Sequence, residues 1–389
     1  LMVADPSLDM IRRLIAFPTI SADGNADLIA FVVAHLTAAG AEIDRFPHPS
    51  EPKENVLATF YPRNPEARRQ PGLLLSGHTD VVPVAGQAWS GDPFDPWLAD
   101  GRLYGRGACD MKGFLGLLLA RADDIAAASL SRPVHLAFSY DEEVGCAGVR
   151  SLVDHLAHMP VKPALCIVGE PTNMTAVTGH KGIRVIRTTI TGREAHSSQP
   201  AAGASAAAAA GRLVAYLDEL ADQLAAGPAA DGFDPPHTTL NVGRIDSGTA
   251  VNIIANKAVI DWEVRPVPDA DVDALLARVR DFAESKLTPR LMRTASEADI
   301  RFDVLADAPA MARLDINPAE ELVLSLLGAN ETRAVAFATE AGLFQHRAGI
   351  PAVVCGPGSI DQAHKPDEYV SLAQLDACDR FLTKLIAAA

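Results

Sequence analysis

Three successive carboxylates, Asp141, Glu142 and Glu143, directly follow an apolar run in the segment PVHLAFSYDEEVG (133–145). Like charges this close make one another harder to ionise unless a cation compensates them. Three further apolar runs end in comparable residues: LLLSG (73–77) ends at His78-Thr79-Asp80, ALCIVG (164–169) ends at Glu170, and PAVVC (351–355) leads into GPGSIDQAH with His364. A sixth acid, Asp110 in GRGACDMKG (105–113), opens a long apolar helix. Two imidazoles and several carboxylates without a thiolate form a donor set suited to zinc, manganese or cobalt.

Taken singly, these residues admit plainer roles. His78 alone reads as a hydrogen-bonded core histidine, Asp110 as a helix N-cap and Glu170, before Pro171, as a turn residue. SYDEEVG (139–145) alone reads equally well as a solvated loop. What favours convergence is that all of them fall at strand or helix ends of one sheet. In an open α/β sheet the carboxyl ends of the strands line the ligand crevice. Two other chemistries fit poorly. GRGACDMKG lacks the GxxxxGK[ST] spacing of a phosphate loop and has an acid inside it. No serine sits in a GxSxG elbow and no cysteine has an evident base partner, which disfavours a side-chain nucleophile.

The elements that must carry these groups follow from hydrophobic periodicity. Helices are predicted over Ser7–Phe17, capped by Ser7, and over Asn25–Ala39. Further helices are expected over Lys112–Ala128, Gly148–His158 and Leu372–Ala387. Strands are predicted from Asn55, Leu73, Val134, Ala164, Arg333 and Pro351, with a hairpin around Asp100-Gly101. Alternating strands and helices give an α/β domain with a mostly parallel sheet. From about Gly182 the texture changes to half-solvated strands at 183–192, 238–248 and 255–266, helices at 205–223 and 271–287, and a last strand near 299–304. That order is ferredoxin-like. The expected division is therefore a catalytic domain of residues 1–179 and 305–389, interrupted by an inserted α+β lid or dimerisation domain of residues 180–304.

Composition bounds the partners. The chain has 389 residues, with 49 acidic against 34 Lys and Arg and a net charge of −15, and no basic block. This argues against nucleic acid as the partner. No apolar stretch is long enough to suggest a membrane span, and the N-terminal LMVADPSLDM has no basic region leading into an apolar run, so neither a span nor a retained signal peptide is expected. Five cysteines with no CxxC spacing suit reduced structural thiols in the cytoplasm.

With these motifs together, the sequence resembles the metal-dependent M20 peptidases and deacylases. The resemblance rests on SGHTDVVP (76–83), GRGACDMKG (105–113), SYDEEVG (139–145), GEPT (169–172), GREAHSS (192–198) and GPGSIDQAHKPDEY (356–369). These extend over nearly the whole chain. HKGIRV (180–185), DWEVRP (261–266) and ATEA (338–341) are most similar to the acetylornithine deacetylases within that family.

The resemblance implies two divalent ions, zinc first, with cobalt or manganese as alternatives. Asp110 would bridge them, His78 and Glu170 would complete one site, and Glu143 and His364 the other. Glu142 would act as general base, Asp80 would steady His78, and His196 would stabilise the oxyanion, in relatives from the partner subunit. Arg265 and Asn252 would contact the substrate carboxylate. Glu340 is the candidate for reading a substrate ammonium, on charge complementarity. The implied substrate is a small N-acyl amino acid, acetylornithine foremost, with acetylcitrulline, succinyl-diaminopimelate and broader aminoacylase or dipeptidase substrates as rivals. The implied assembly is a homodimer through the inserted domain. A non-catalytic metal-binding scaffold is the alternative of a different class.

Overall fold

The computed structural model describes residues 5–389 and divides the chain into two compact units. One comprises the chain up to Gly179 together with Met311–Ala334 and Thr339–Ala389; the other comprises His180–Ala310 and Val335–Ala338.

The first unit is built on an eight-stranded sheet. In spatial order its strands are Glu42–Pro47, Glu54–Phe60, Val134–Ser139, Leu73–His78, Leu165–Pro171, Ala352–Gly356, Val177–His180 and Arg333–Val335. Its centre is parallel: Leu73–His78 pairs in that sense with both Val134–Ser139 and Leu165–Pro171, and Leu165–Pro171 with Ala352–Gly356. Glu54–Phe60 pairs antiparallel with both its neighbours, and Ala352–Gly356 pairs antiparallel with Val177–His180. The central strands are buried along their whole length, as parallel strands covered on both faces must be, which is why they read as unbroken apolar runs. Helices Asp5–Ile15, Ala26–Ala38, Lys112–Ala120 and Leu372–Ala388 pack their apolar residues into the same core. Asp5–Ile15 and Lys112–Ala120 approach so closely that a Cβ on Gly116 would lie 2.7 Å from the Ile11 Cα.

Some boundaries differ from the sequence expectation. The first helix already includes Ser7, which is buried inside it rather than capping it. The helix expected over Lys112–Ala128 breaks at Arg121, whose guanidinium binds Asp379 and Asp124. The strand expected from Arg333 is only three residues long. The edge strand Glu42–Pro47 and the helix Pro318–Leu327 are additions. Among the described residues no helix is long and apolar enough to cross a membrane.

The second unit is a four-stranded antiparallel sheet in the order Thr239–Ser247, Lys257–Arg265, Ile183–Thr191, Asp299–Ala308. Numbered along the chain this is second, third, first, fourth, the ferredoxin-like arrangement expected from the element order. Helices Ala206–Ala225 and Val272–Phe282 bury Leu213, Leu217, Leu220, Leu275 and Val279 against Ile186, Ile190, Ile260 and Trp262 of the sheet.

Candidate metal and hydrolytic site

Parallel register sets the strand ends side by side. His78 closes its strand opposite Ser139, and the chain then turns through Tyr140 into Asp141, Glu142 and Glu143. Glu170 lies at the end of Leu165–Pro171. The preceding Gly169 leaves no room for a side chain, because a Cβ there would lie 2.1 Å from the Phe114 ring. After Ala352–Gly356 the chain forms the loop that carries His364.

Asp110 lies between the two histidines. Its Oδ1 is 2.9 Å from His78 Nε2, and its Oδ2 is 3.3 Å from His364 Nε2. The N-cap alternative for Asp110 does not hold, since the following helix starts at Lys112 and no side chain caps it. His78 Nε2 also lies 3.6 Å from Glu170 Oε1, and His364 Nε2 lies 3.0 Å from Glu143 Oε2. Two sets of donor atoms result, His78–Asp110–Glu170 and Asp110–Glu143–His364, each with its atoms within 4.8 Å of one another. His78 Nδ1 faces the backbone carbonyl of Asp80 at 2.9 Å. A carbonyl can only accept, so Nδ1 carries a proton, and Nε2 is the nitrogen turned toward Asp110 and Glu170, where a cation would replace its proton.

The turn after Ser139 is held from two sides. Asp80 Oδ1 accepts the Glu142 N–H at 3.1 Å and its Oδ2 accepts the Glu143 N–H at 3.2 Å, while the Ser21 hydroxyl donates to Oδ2 at 2.7 Å. On the other side, Lys53 Nζ donates to Asp141 at 2.9 Å and pairs with Glu51 at 2.7 Å. The Cys146 thiol donates to Glu142 Oε1 at 3.4 Å. SYDEEVG is therefore a partly buried, tethered turn rather than a solvated loop. Lys53 escaped the sequence reading because it lies 88 residues from its partner.

The electrostatics describe a surplus of buried negative charge. Burial, together with repulsion from Asp110, pushes the Glu143 carboxyl up to about 7. Burial likewise raises Glu170 and Glu142 well above the usual carboxylate range, with Glu143, Asp110 and Glu340 adding to the effect on Glu142. For Asp110 burial acts upward too, but hydrogen bonds from His364 and His78 hold it below the usual range. The hydrogen bonds of His364 to Asp110 and to Glu143 draw it up to about 10. Oxygen-rich groups with one imidazole each, around carboxylates that burial leaves undercompensated, fit two divalent cations by donor chemistry and by charge.

Glu340 is 1 % exposed and lies near Ser139 and His78, and burial pushes it up to about 7. By geometry neither of its oxygens accepts a hydrogen bond among the described residues, although the Ser139 and Ser76 hydroxyls stand close enough to oppose the rise. The remaining residues singled out by sequence belong to the second unit. His196 is exposed, with Nδ1 2.7 Å from the Ser198 hydroxyl, and its short strand pairs with Ile253–Ile254. Asn252 precedes that partner strand and its carbonyl accepts the Ser197 N–H at 2.9 Å. Arg265 ends the strand Lys257–Arg265 and pairs with Glu263 at 3.1 Å.

The chain is 32 % identical over 387 residues to the acetylornithine deacetylase of Pasteurella multocida, covering 97 % of each sequence. Its fold matches the M20 family metallo-carboxypeptidase Sso-CP2 of Sulfolobus solfataricus with a TM-score of 0.77 at 18 % identity, covering 99 % of both chains. It also matches the YXEP protein of Bacillus subtilis, a dinuclear metal binding peptidase, with a TM-score of 0.66 at 16 % identity, covering 98 % of this chain and 97 % of that one. The family model for peptidase family M20/M25/M40 spans residues 74–388, which takes in every strand end that bears a candidate ligand, and the chain is a member of that family.

Proposed function

We propose that the protein hydrolyses the amide bond of an N-acyl amino acid, converting N2-acetyl-L-ornithine to L-ornithine and acetate, a step of arginine biosynthesis. The observation that carries this reading is Asp110 between two imidazoles, each with its own buried glutamate. The 32 % identity to an acetylornithine deacetylase supports the choice of substrate.

His78, Asp110 and Glu170 would hold one ion, and Asp110, Glu143 and His364 the other, zinc first and cobalt or manganese as alternatives. Ions there would supply the Lewis acidity that amide hydrolysis needs. Glu142 takes a proton from the attacking water and returns it to the nitrogen as the C–N bond breaks, leaving acetate and the amine. Its raised proton affinity suits it to both halves of that transfer. Asp80 keeps His78 oriented and fixes the backbone that presents Glu142. His196 donates to the oxyanion. Arg265 and Asn252 receive the substrate carboxylate, for which the carboxylate of Glu263 on Arg265 is a precedent. Glu340 receives the side-chain ammonium: a buried carboxylate without a hydrogen bond is stabilised by a cation. The working form is a homodimer through the second unit, in the cytoplasm, where five free cysteines remain reduced.

The test is kcat/KM with added zinc or cobalt on acetylornithine, acetylcitrulline, acetylmethionine and succinyl-diaminopimelate. Acetylornithine is expected to lead. A tenfold preference for any of the others would replace this substrate assignment.

A further inference from the structure

Arg106 and Glu368 are both 1 % exposed and form an ion pair at 2.7 Å. Burying two charges is costly unless the remaining polar valences are also satisfied. Here the carboxylate is fully used. Glu368 Oε1 accepts the backbone N–H groups of Cys109 at 2.9 Å and Asp110 at 3.0 Å. Its Oε2 accepts the Gly107 N–H at 3.1 Å as well as the Arg106 guanidinium. The Glu368 carbonyl accepts the Gly105 N–H at 3.0 Å. One side chain thus fills a concave cluster of N–H groups of the kind that otherwise binds an anion.

That loop carries Asp110. Glu368 itself stands four residues after His364, just before the short strand Tyr369–Ser371, which pairs with Arg102–Tyr104. Arg106 extends the link: its Nη2 donates to the Gln87 side-chain oxygen, and Gln87 in turn donates to the His364 carbonyl at 3.1 Å. The two loops are about 260 residues apart in sequence.

We infer that Glu368 is a positioning residue that fixes the Asp110 and His364 segments to each other, so that both sets of metal donors form together. This rests on the metal-centre reading above. A glutamine there keeps the volume but turns an NH2 group toward N–H donors, so part of the clamp must open. Residues that orient ligands from behind typically change metal affinity 10–100-fold when altered.

The test is calorimetric titration of metal-stripped, full-length protein with cobalt(II), read alongside the visible absorption of the bound ion. Wild type is expected to take up two ions. Folded Glu368→Gln should bind at least one of them about 10–100-fold more weakly, with an altered absorption band. Wild-type affinities and an unchanged band in the folded variant would overturn the inference while leaving the metal centre standing. Failure of the wild type to bind cobalt would overturn both. If Glu368→Gln does not fold, Gln87→Ala, at a partly exposed side chain, decides: weaker binding of one ion supports the link, and unchanged binding of both overturns it.

Discussion

Asp80 holds Glu142 by its backbone: Asp80 Oδ1 accepts the Glu142 N–H at 3.1 Å, while its other oxygen takes the Glu143 N–H. The acid expected to steady His78 is therefore equally a brace for the turn that presents the base and one ligand. In Asp80→Asn the amide NH2 must face an N–H group or the Ser21 hydroxyl. The expected outcome is a 10–100-fold fall in kcat with the fold intact. Activity within twofold of wild type would show that the brace is dispensable.

Lys53 and Asp141 form the opposite brace. Lys53 is 8 % exposed at its side chain, and Asp141 has a φ of 55° with one oxygen lacking a partner. Lys53→Met leaves that carboxylate without its cation and should cost about 1–3 kcal/mol in urea denaturation. Adding Asp141→Asn, which tolerates the left-handed backbone, should recover part of the loss. Independent, additive effects would contradict the pairing.

His135 sits in the middle of the sheet, 2 % exposed, with Nδ1 2.9 Å from the Thr59 hydroxyl. Burial lowers its pKa from 6.5 to about 4. The unfolded chain therefore takes up the proton first as the pH falls. The stability contributed by neutral His135 is complete above pH 6.5 and is lost progressively toward pH 4. Between pH 7 and 5 wild type should lose about 2 kcal/mol more than His135→Gln, as measured by chemical denaturation at each pH. Parallel pH profiles would contradict this.

Glu340→Gln tests the specificity reading. Loss of the charge should reduce kcat/KM for acetylornithine about tenfold or more relative to the neutral acetylmethionine, an ion pair in a buried site exceeding 1.4 kcal/mol. An unchanged ratio would assign Glu340 a purely internal role.

The site was legible in the sequence where chemistry is local. His78, Asp141–Glu143 and Glu170 each stand at the end of a fully buried strand, so an apolar run followed by an acid or imidazole marks both the element and the end that bears the candidate ligands. Lys53 and Glu368 were not legible, because their partners lie 88 and about 260 residues away and no spacing rule connects them. The helix break at Arg121 carried no Gly or Pro to mark it. The edge strand Glu42–Pro47 is mostly exposed and carries no alternation to detect. The helix Pro318–Leu327 did carry signals: Asn317 caps it, Pro318 starts it and Gly328 ends it with a φ of 67°.

The division of labour between Glu142 and its neighbour Glu143 is tested most directly by Glu142→Gln, with cobalt uptake and acetylornithine hydrolysis measured on the same sample. The variant should bind two cobalt ions with wild-type affinity while kcat falls about 10²–10⁴-fold. Hydrolysis within tenfold of wild type, with both ions bound, would contradict the assignment of Glu142 as the base.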